Sequence, residues 1–245
     1  MCRLIIARGR FEATAILDAA LSMSTGVTAL DDVPTRVHPN GWGAVWRTDD
    51  GALAAHRDHR AFVDSRESAG LEDLRTDMLA VHVRHATLPE KTGLRFAHPL
   101  ERLDDFGPWY FMHNGFLPTV YQRLGLSASA FDSAEYFDYL LPHGQWELDV
   151  ESTLRRLREI PPGGTSGNAL LLNPRRAYVV HWTIPEAPYQ DYFTLRRLRL
   201  PEADIIASEP VPALAAAEHW EALPPATIID LPFTTGHERS IRRAA

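Results

Sequence analysis

The chain is poor in cysteine, in lysine and in long apolar runs. A single cysteine in 245 residues excludes an internal disulfide and a cysteine-built zinc site. No stretch of about 18 consecutive apolar residues occurs, so no membrane-spanning helix is expected. The N-terminus has no basic region leading into an apolar segment, so no secretory signal is expected either. Lys91 is the only lysine among 25 basic residues, which face 32 acidic ones for a net charge of −7. That balance argues against nucleic acid. Arginine clusters at Leu195-Arg196-Arg197-Leu198-Arg199 and Arg239-Ser240-Ile241-Arg242-Arg243 are not interleaved with base-stacking aromatics, so both are expected to be solvated faces. A reducing compartment, the cytoplasm, suits a chain whose one thiol is to stay usable.

That thiol is the second residue. Removal of Met1 from Met1-Cys2-Arg3-Leu4-Ile5-Ile6 puts a thiol and a free α-amine on the same residue. An N-terminal amine can act as the base for its own side chain, and its pKa of ~7.7–8.0 lies near the ~8.5 of a thiol. By position alone, Cys2 reads equally as a small buried apolar residue opening the first strand.

Periodicity predicts a sheet-rich α/β organisation. Arg3 to Ala7 reads as a buried strand. Ala13, Ile16, Leu17, Ala20 and Leu21 have amphipathic-helix spacing. Gly43 to Trp46 and Ala52 to Ala55 flank Asp49-Asp50-Gly51 as a hairpin, and Met78 to Val83 and Trp109 to Met112 read as strands ending at polar motifs. Ser133 to Leu141 and Val150 to Ile160 read as helices, the second stopped by Pro161-Pro162-Gly163-Gly164. Ala169 to Leu172 and Ala177 to Val180 bracket Asn173-Pro174-Arg175-Arg176 as another hairpin, and further strands are expected at Asp204 to Ala207 and Thr227 to Leu231. His56-Arg57-Asp58-His59-Arg60 reads as a solvated loop or edge. With no repeat, no low-complexity tract and no linker, residues 2–245 are expected to form one domain.

Five motifs stand in order along the chain: Cys2; His38-Pro39-Asn40-Gly41-Trp42-Gly43; Val81-His82-Val83-Arg84-His85-Ala86-Thr87 with His98-Pro99; Trp109-Tyr110-Phe111-Met112-His113-Asn114-Gly115; and Asp132-Ser133-Ala134-Glu135. Together they resemble the class II glutamine amidotransferases, amidohydrolases of the N-terminal-nucleophile (Ntn) type whose mature chain begins with cysteine. The resemblance spans roughly residues 2 to 140. It implies an α+β fold, a four-layer α-β-β-α sandwich of two mainly antiparallel sheets flanked by helices. The pattern departs at Leu88-Pro89-Glu90, where relatives usually place a histidine or glycine.

Each motif also has a chemical reading. Thiolate attack on an amide creates a negative oxygen that needs donors where the charge develops. Asn114 and Gly115 supply a side-chain amide and a backbone N–H, although Asn-Gly is also a common turn. A γ-glutamyl substrate carries an α-carboxylate, suited to the planar fork of Arg84, and an α-ammonium, suited to Asp132. As alternatives, Arg84 reads as a surface ion pair and Asp132 as a helix N-cap with Glu135 completing a capping box. The resemblance adds Thr87 and His98 as substrate-contacting positions. His82, His85 and His113 do not read as a metal site, because on a strand His82 and His85 point to opposite faces. The expectation is a cofactor-free N-terminal-cysteine amidohydrolase cleaving a γ-glutamyl amide, glutamine by default, through a thioester. It would act alone, or with an ammonia-accepting synthase in trans. A γ-glutamyl hydrolase of a thiol-metabolite pathway and a catalytically idle glutamine-binding regulator are the alternatives.

Overall fold

The structure is a computed structural model that describes residues 1–29, 33, 35–105, 107–185 and 187–233. The second arginine cluster, Arg239 to Arg243, lies outside them. Among the described residues the main elements are β1 (Arg3–Gly9), α1 (Ala13–Ser24), β2 (Trp42–Arg47), β3 (Leu53–Asp58), α2 (Phe62–Ser65), β4 (Met78–Val83), β5 (Leu100–Asp104), β6 (Gly107–Gly115), α3 (Asp132–Leu140), α4 (Val150–Arg158), β7 (Gly167–Asn173), β8 (Arg176–His181), α5 (Gln190–Phe193), β9 (Arg196–Arg199), β10 (Ala203–Ala207), β11 (Glu221–Ala222) and β12 (Thr227–Pro232). The strands form a seven-stranded sheet, ordered β11-β9-β10-β1-β4-β2-β3, and a five-stranded sheet, ordered β12-β8-β7-β6-β5. Their pairings are antiparallel.

Side-chain alternation along each strand sorts the residues into layers. On β1, Leu4 and Ile6 point between the sheets, where they meet Met78 and Ala80 of β4 and Tyr110, Met112, Leu170 and Leu172 of the second sheet. Ile5 and Ala7 point outward, against Ala13, Ile16, Leu17 and Ala20 of α1. On the far side, Trp109 and Phe111 of β6 pack against Tyr136, Phe137 and Leu140 of α3 and Leu157 of α4. The result is the α-β-β-α sandwich that the resemblance implies. Among the described residues no helix is long and apolar enough to cross a membrane.

Several elements depart from the sequence expectation. The cluster at Leu195 to Arg199 is not a free solvated face. It contains β9, with Leu195 and Leu198 buried and the Arg197 guanidinium forked onto Asp204 of β10 at 2.6 and 2.7 Å. Paired arginines make a polar, sheet-forming surface that hydropathy reads as loop. The second hairpin keeps its turn, but Arg176 already belongs to β8. The polar run at His56 to Arg60 agrees with the edge reading: it forms the end of edge strand β3 and the bend after it, with the His56 ring 4.8 Å from Trp42. Asn114-Gly115 is no turn at all, since both residues pair with Asn168 and Gly167 of β7.

Candidate active site

Strand register explains why one corner of the sandwich gathers the motifs. Leu4 of β1 lies opposite His82 of β4, and Arg3 opposite Val83. By alternation Cys2 therefore shares the inner face with His82, while Arg3 points outward into a buried ion pair with Glu209 at 2.8 Å, beneath the Tyr192 ring. The start of β1 thus lies beside the end of β4. Across the inter-sheet space, the end of β6 presents Asn114 inward and His113 outward, and the first turn of α3 brings Asp132 to the same place.

Cys2 is buried at 6 % exposure, and its backbone nitrogen donates to Asn114 Oδ1 at 3.1 Å. That bond orients the amide: Nδ2 faces Ser208, donating to its hydroxyl oxygen at 3.2 Å. An amide nitrogen carries two hydrogens, so one remains for a ligand. Ser208 Oγ also accepts from Leu4 N at 2.9 Å, which ties the nucleophile strand to the oxyanion donor. Sequence reading missed Ser208 and Glu209. They follow β10, some two hundred residues from Cys2, and no local pattern marks them.

A Cβ at Gly115 would collide with the carbonyl of Ser166 and with the His113 ring, so tight packing excludes a side chain at this pocket-lining position. His113 Nε2 donates to that same Ser166 carbonyl at 3.1 Å, and its Nδ1 accepts from Ser133 Oγ at 3.0 Å. Burial holds this imidazole below its ordinary pKa. His85 also lines the pocket: its carbonyl accepts from Cys2 Sγ at 3.8 Å, and its ring Nδ1 donates to the Val37 carbonyl at 3.1 Å. The loop from Arg84 to Ala86 is pinned by Asn40, whose Oδ1 accepts from Ala86 N at 3.0 Å and whose N–H donates to the Arg84 carbonyl at 2.9 Å.

Arg84 is 5 % exposed, and its Nη1 is buried with no partner among the described residues. Burial lowers its pKa, while the Cys2 and Asp132 charges oppose that shift. The surface-ion-pair reading therefore fails. Asp132 is not the N-cap either: that position is Phe131, and Asp132 Oδ2 accepts from Leu117 N at 2.9 Å. Glu135 closes the helix start by accepting from Ala130 N and Phe131 N at 2.6 and 3.1 Å. Asp132 Oδ1 has no protein donor among the described residues. Cys2, Arg84, Thr87, His98, Gly115 and Asp132 all line one small pocket of about 30 Å³. The amine of Met1 donates to the His85 carbonyl at 2.7 Å and to Thr87 Oγ1 at 3.3 Å.

A family model described as class II glutamine amidotransferases matches residues 11–141, more than half of the chain. The chain belongs to this family. The matched segment carries Arg84, Thr87, His98, Asn114, Gly115 and Asp132, and the fold brings Cys2, which precedes it, against Asn114. Among solved structures, this amidotransferase chain is similar to a glutamine phosphoribosylpyrophosphate (PRPP) amidotransferase from B. subtilis complexed with ADP and GMP. The TM-score is 0.65 at 18 % identity, covering 96 % of this chain and 50 % of that one. It is also similar to a structure described as the allosteric regulatory enzyme of purine biosynthesis (TM-score 0.66, 17 % identity, 94 % of this chain and 46 % of that one). A third likeness is to a glutamine aminotransferase class-II domain protein from Silicibacter pomeroyi (TM-score 0.54, 15 % identity, 96 % of this chain and 100 % of that one). The chain spans about half the length of the first two, and at these identities the likeness is one of fold. A search of curated proteins found no match.

Proposed function

We infer that this family member is an amidohydrolase that cleaves a γ-glutamyl amide, glutamine by default, through a Cys2 thioester. The observation that carries the reading is the buried Arg84 guanidinium, its Nη1 without a hydrogen-bond partner among the described residues, sharing a pocket with Asp132 and the thiol. A buried charge without a partner is costly, and an α-carboxylate would supply one in bidentate geometry. Asp132 Oδ1 would take the α-ammonium. Thr87 Oγ1 and His98, whose ring nitrogens are both buried without partners among the described residues, complete the wall.

With Met1 removed, the nitrogen now held by Asn114 Oδ1 becomes the α-amine, a base beside the thiol. It would accept the proton of the attacking group, first the thiol and then the hydrolytic water. The oxyanion of each tetrahedral intermediate would take the spare Asn114 Nδ2 hydrogen and the Gly115 N–H. The Met1 amine takes two acceptors at the rim of the pocket, the His85 carbonyl and Thr87 Oγ1, and with Met1 in place the Cys2 nitrogen is an amide that cannot act as the base. Protein that retains Met1 is therefore expected to be inactive, and intact mass of the active fraction checks this. Full turnover from a Met1-bearing population would sink the mechanism.

The chain would act as one domain in the cytoplasm, either delivering ammonia to a synthase in trans or hydrolysing a γ-glutamyl metabolite outright, with no nucleic acid involved. The deciding experiment is a screen of γ-glutamyl amides with glutamate release and intact-mass detection of an acyl-enzyme. Release with a thioester adduct is the expected result; tight binding without turnover would mark a regulator instead. Asn114→Ala is expected to lower kcat by roughly 10²–10³ with little change in KM. A raised KM with intact kcat would reassign Asn114 to ground-state binding.

A further inference from the structure

The residues lining the candidate site sort by exposure into a closed end and an open rim. Arg84, His98, His113 and Ser133 are buried, whereas Thr87 and Leu88 are exposed and Lys91 is half-buried. The rim is one turn of chain, closed by the Lys91 N–H donating to the Leu88 carbonyl at 2.9 Å. It falls where the sequence departs from the family pattern, at Leu88-Pro89-Glu90. It also lies beside the nucleophile, since the Met1 amine, one residue from Cys2, reaches Thr87 Oγ1 at 3.3 Å.

Charge around this pocket is not balanced. The lining residues include two cations, Arg84 and Lys91, and one anion, Asp132; Glu90, in the same turn as Lys91, is exposed and does not line the pocket. Burial holds the lining imidazoles of His85, His98 and His113 below their ordinary pKa, so they stay neutral at pH 7. Lys91, the only lysine of the chain, has neutral partners among the described residues. Its Nζ donates to the Ala130 carbonyl at 2.8 Å and stands 5.7 Å from the centre of the Phe96 ring. Arg95 lies over that ring as well, at 4.5 Å. A glutamine zwitterion would match Arg84 with its α-carboxylate and Asp132 with its α-ammonium, and would leave the Lys91 charge over.

We propose that the preferred substrate is a γ-glutamyl amino acid, whose leaving amine carries a carboxylate for Lys91. The inference rests on the amidohydrolase reading and deepens it. With the α-carboxylate, α-ammonium and γ-carbonyl at Arg84, Asp132 and Cys2, a further charge has its place on the amide nitrogen's substituent, which points to the open side by which the product departs. There a carboxylate one carbon from the nitrogen meets Lys91, a point charge on a flexible stem with three rotatable donors. The side chain of the leaving amino acid meets Leu88, which is 39 % exposed. The reaction needs water alone as co-reactant. Sγ bonds to the γ-carbon as the thiol proton passes to the Cys2 α-amine. The C–N bond then breaks, and the leaving nitrogen takes that proton, so that a free amino acid departs. Water cleaves the thioester, its hydroxyl going to the γ-carbon and its remaining hydrogen to sulfur, and glutamate is released.

The test compares γ-glutamylleucine with γ-glutamylleucinamide, which differ by one charge, as substrates of the mature protein. Wild type is expected to favour the acid in kcat/KM by roughly 10-fold or more, the range of a charge-assisted hydrogen bond, and the preference is expected to fall as salt is added. Lys91→Met should bring the ratio toward one, and Lys91→Glu should invert it. Equal kcat/KM for acid and amide in wild type overturns the proposal, as does a preference that survives in Lys91→Met. Should the variants fail to fold, the salt dependence in wild type decides, and a preference unchanged at high salt overturns the role of Lys91. If glutamine and both leucine compounds are hydrolysed equally well, amide hydrolysis stands and this substrate class fails. If nothing is hydrolysed, thermal unfolding reads the site instead. A larger rise in Tm with γ-glutamylleucine than with its amide, lost in Lys91→Met, leaves the recognition standing and sinks the hydrolase. No rise with either compound overturns both.

Discussion

Cys2→Ser is expected to lose turnover by a factor on the order of 10³ or more, while substrate affinity stays within a few-fold of wild type. A hydroxyl ionises far less readily than a thiol at neutral pH, and removing the nucleophile of a catalytic set typically costs most of its rate. The binding side of the prediction follows from the geometry. Recognition would reside in Arg84, just past the end of β4, and Asp132, at the start of α3, and an Sγ to Oγ exchange at Cys2 removes neither charge. The Cys2 backbone bond to Asn114 Oδ1 is kept by serine. Calorimetric binding of glutamine to the variant, beside glutamate release by wild type, is the measurement. Equal loss of binding and turnover would mean that Cys2 is a packing residue at the start of β1.

The half of this site that was legible in the sequence consists of residues whose types are chemically unusual where they stand. A lone cysteine at position 2, an Arg beside two histidines, and Asn-Gly after an apolar strand all stand out from the statistics of strands and loops. Their companions do not. Ser208 reads as an ordinary strand exit, yet its hydroxyl oxygen receives both Leu4 N and Asn114 Nδ2. Glu209 sits in a stretch that hydropathy places at the surface, yet it is 2 % exposed because Arg3 meets it from β1. Such pairings depend on sheet order, and β10 lies beside β1 only through a long-range crossover that no local pattern encodes.

His82 illustrates a different limit. Period-2 alternation placed it correctly on a strand, whereas His85 lies past the end of β4, so the opposite-face argument does not apply to it. The same alternation, applied to the neighbouring strand, puts His82 on the Cys2 face, but only once the register Leu4 to His82 is known. A slip of one residue would turn it outward toward α1. The strands were readable; the register that gives them chemical meaning was not. The missed strands β5, β9 and β11 share one cause. Each lies at or near a sheet edge, is short, and carries charged residues that natural edges favour, as in Arg199 paired with Glu221 at 2.5 Å.

Arg84→Met is expected to raise KM by a factor from about 30 to several thousand, equivalent to ~2–5 kcal/mol for a ligand charge left desolvated and unpaired, while the ligand-free protein becomes no less stable. The two effects have opposite signs because the guanidinium is buried with its Nη1 left without a hydrogen-bond partner among the described residues in the free enzyme. Keeping that charge dehydrated costs free energy, and a methionine of similar reach fills the same space without it. Thermal unfolding of the ligand-free proteins should therefore show an equal or higher Tm for Arg84→Met. Saturating glutamine should raise the Tm of wild type, by mass action on the native state, and leave the variant unmoved. Arg84→Lys should recover little affinity, since a point charge cannot reproduce the planar fork. A glutamine α-methyl ester should be a poor substrate for wild type and no worse for Arg84→Met than glutamine itself. A lower Tm together with an unchanged KM would make Arg84 a structural residue, and the pocket would then have to be assigned to a ligand without a carboxylate.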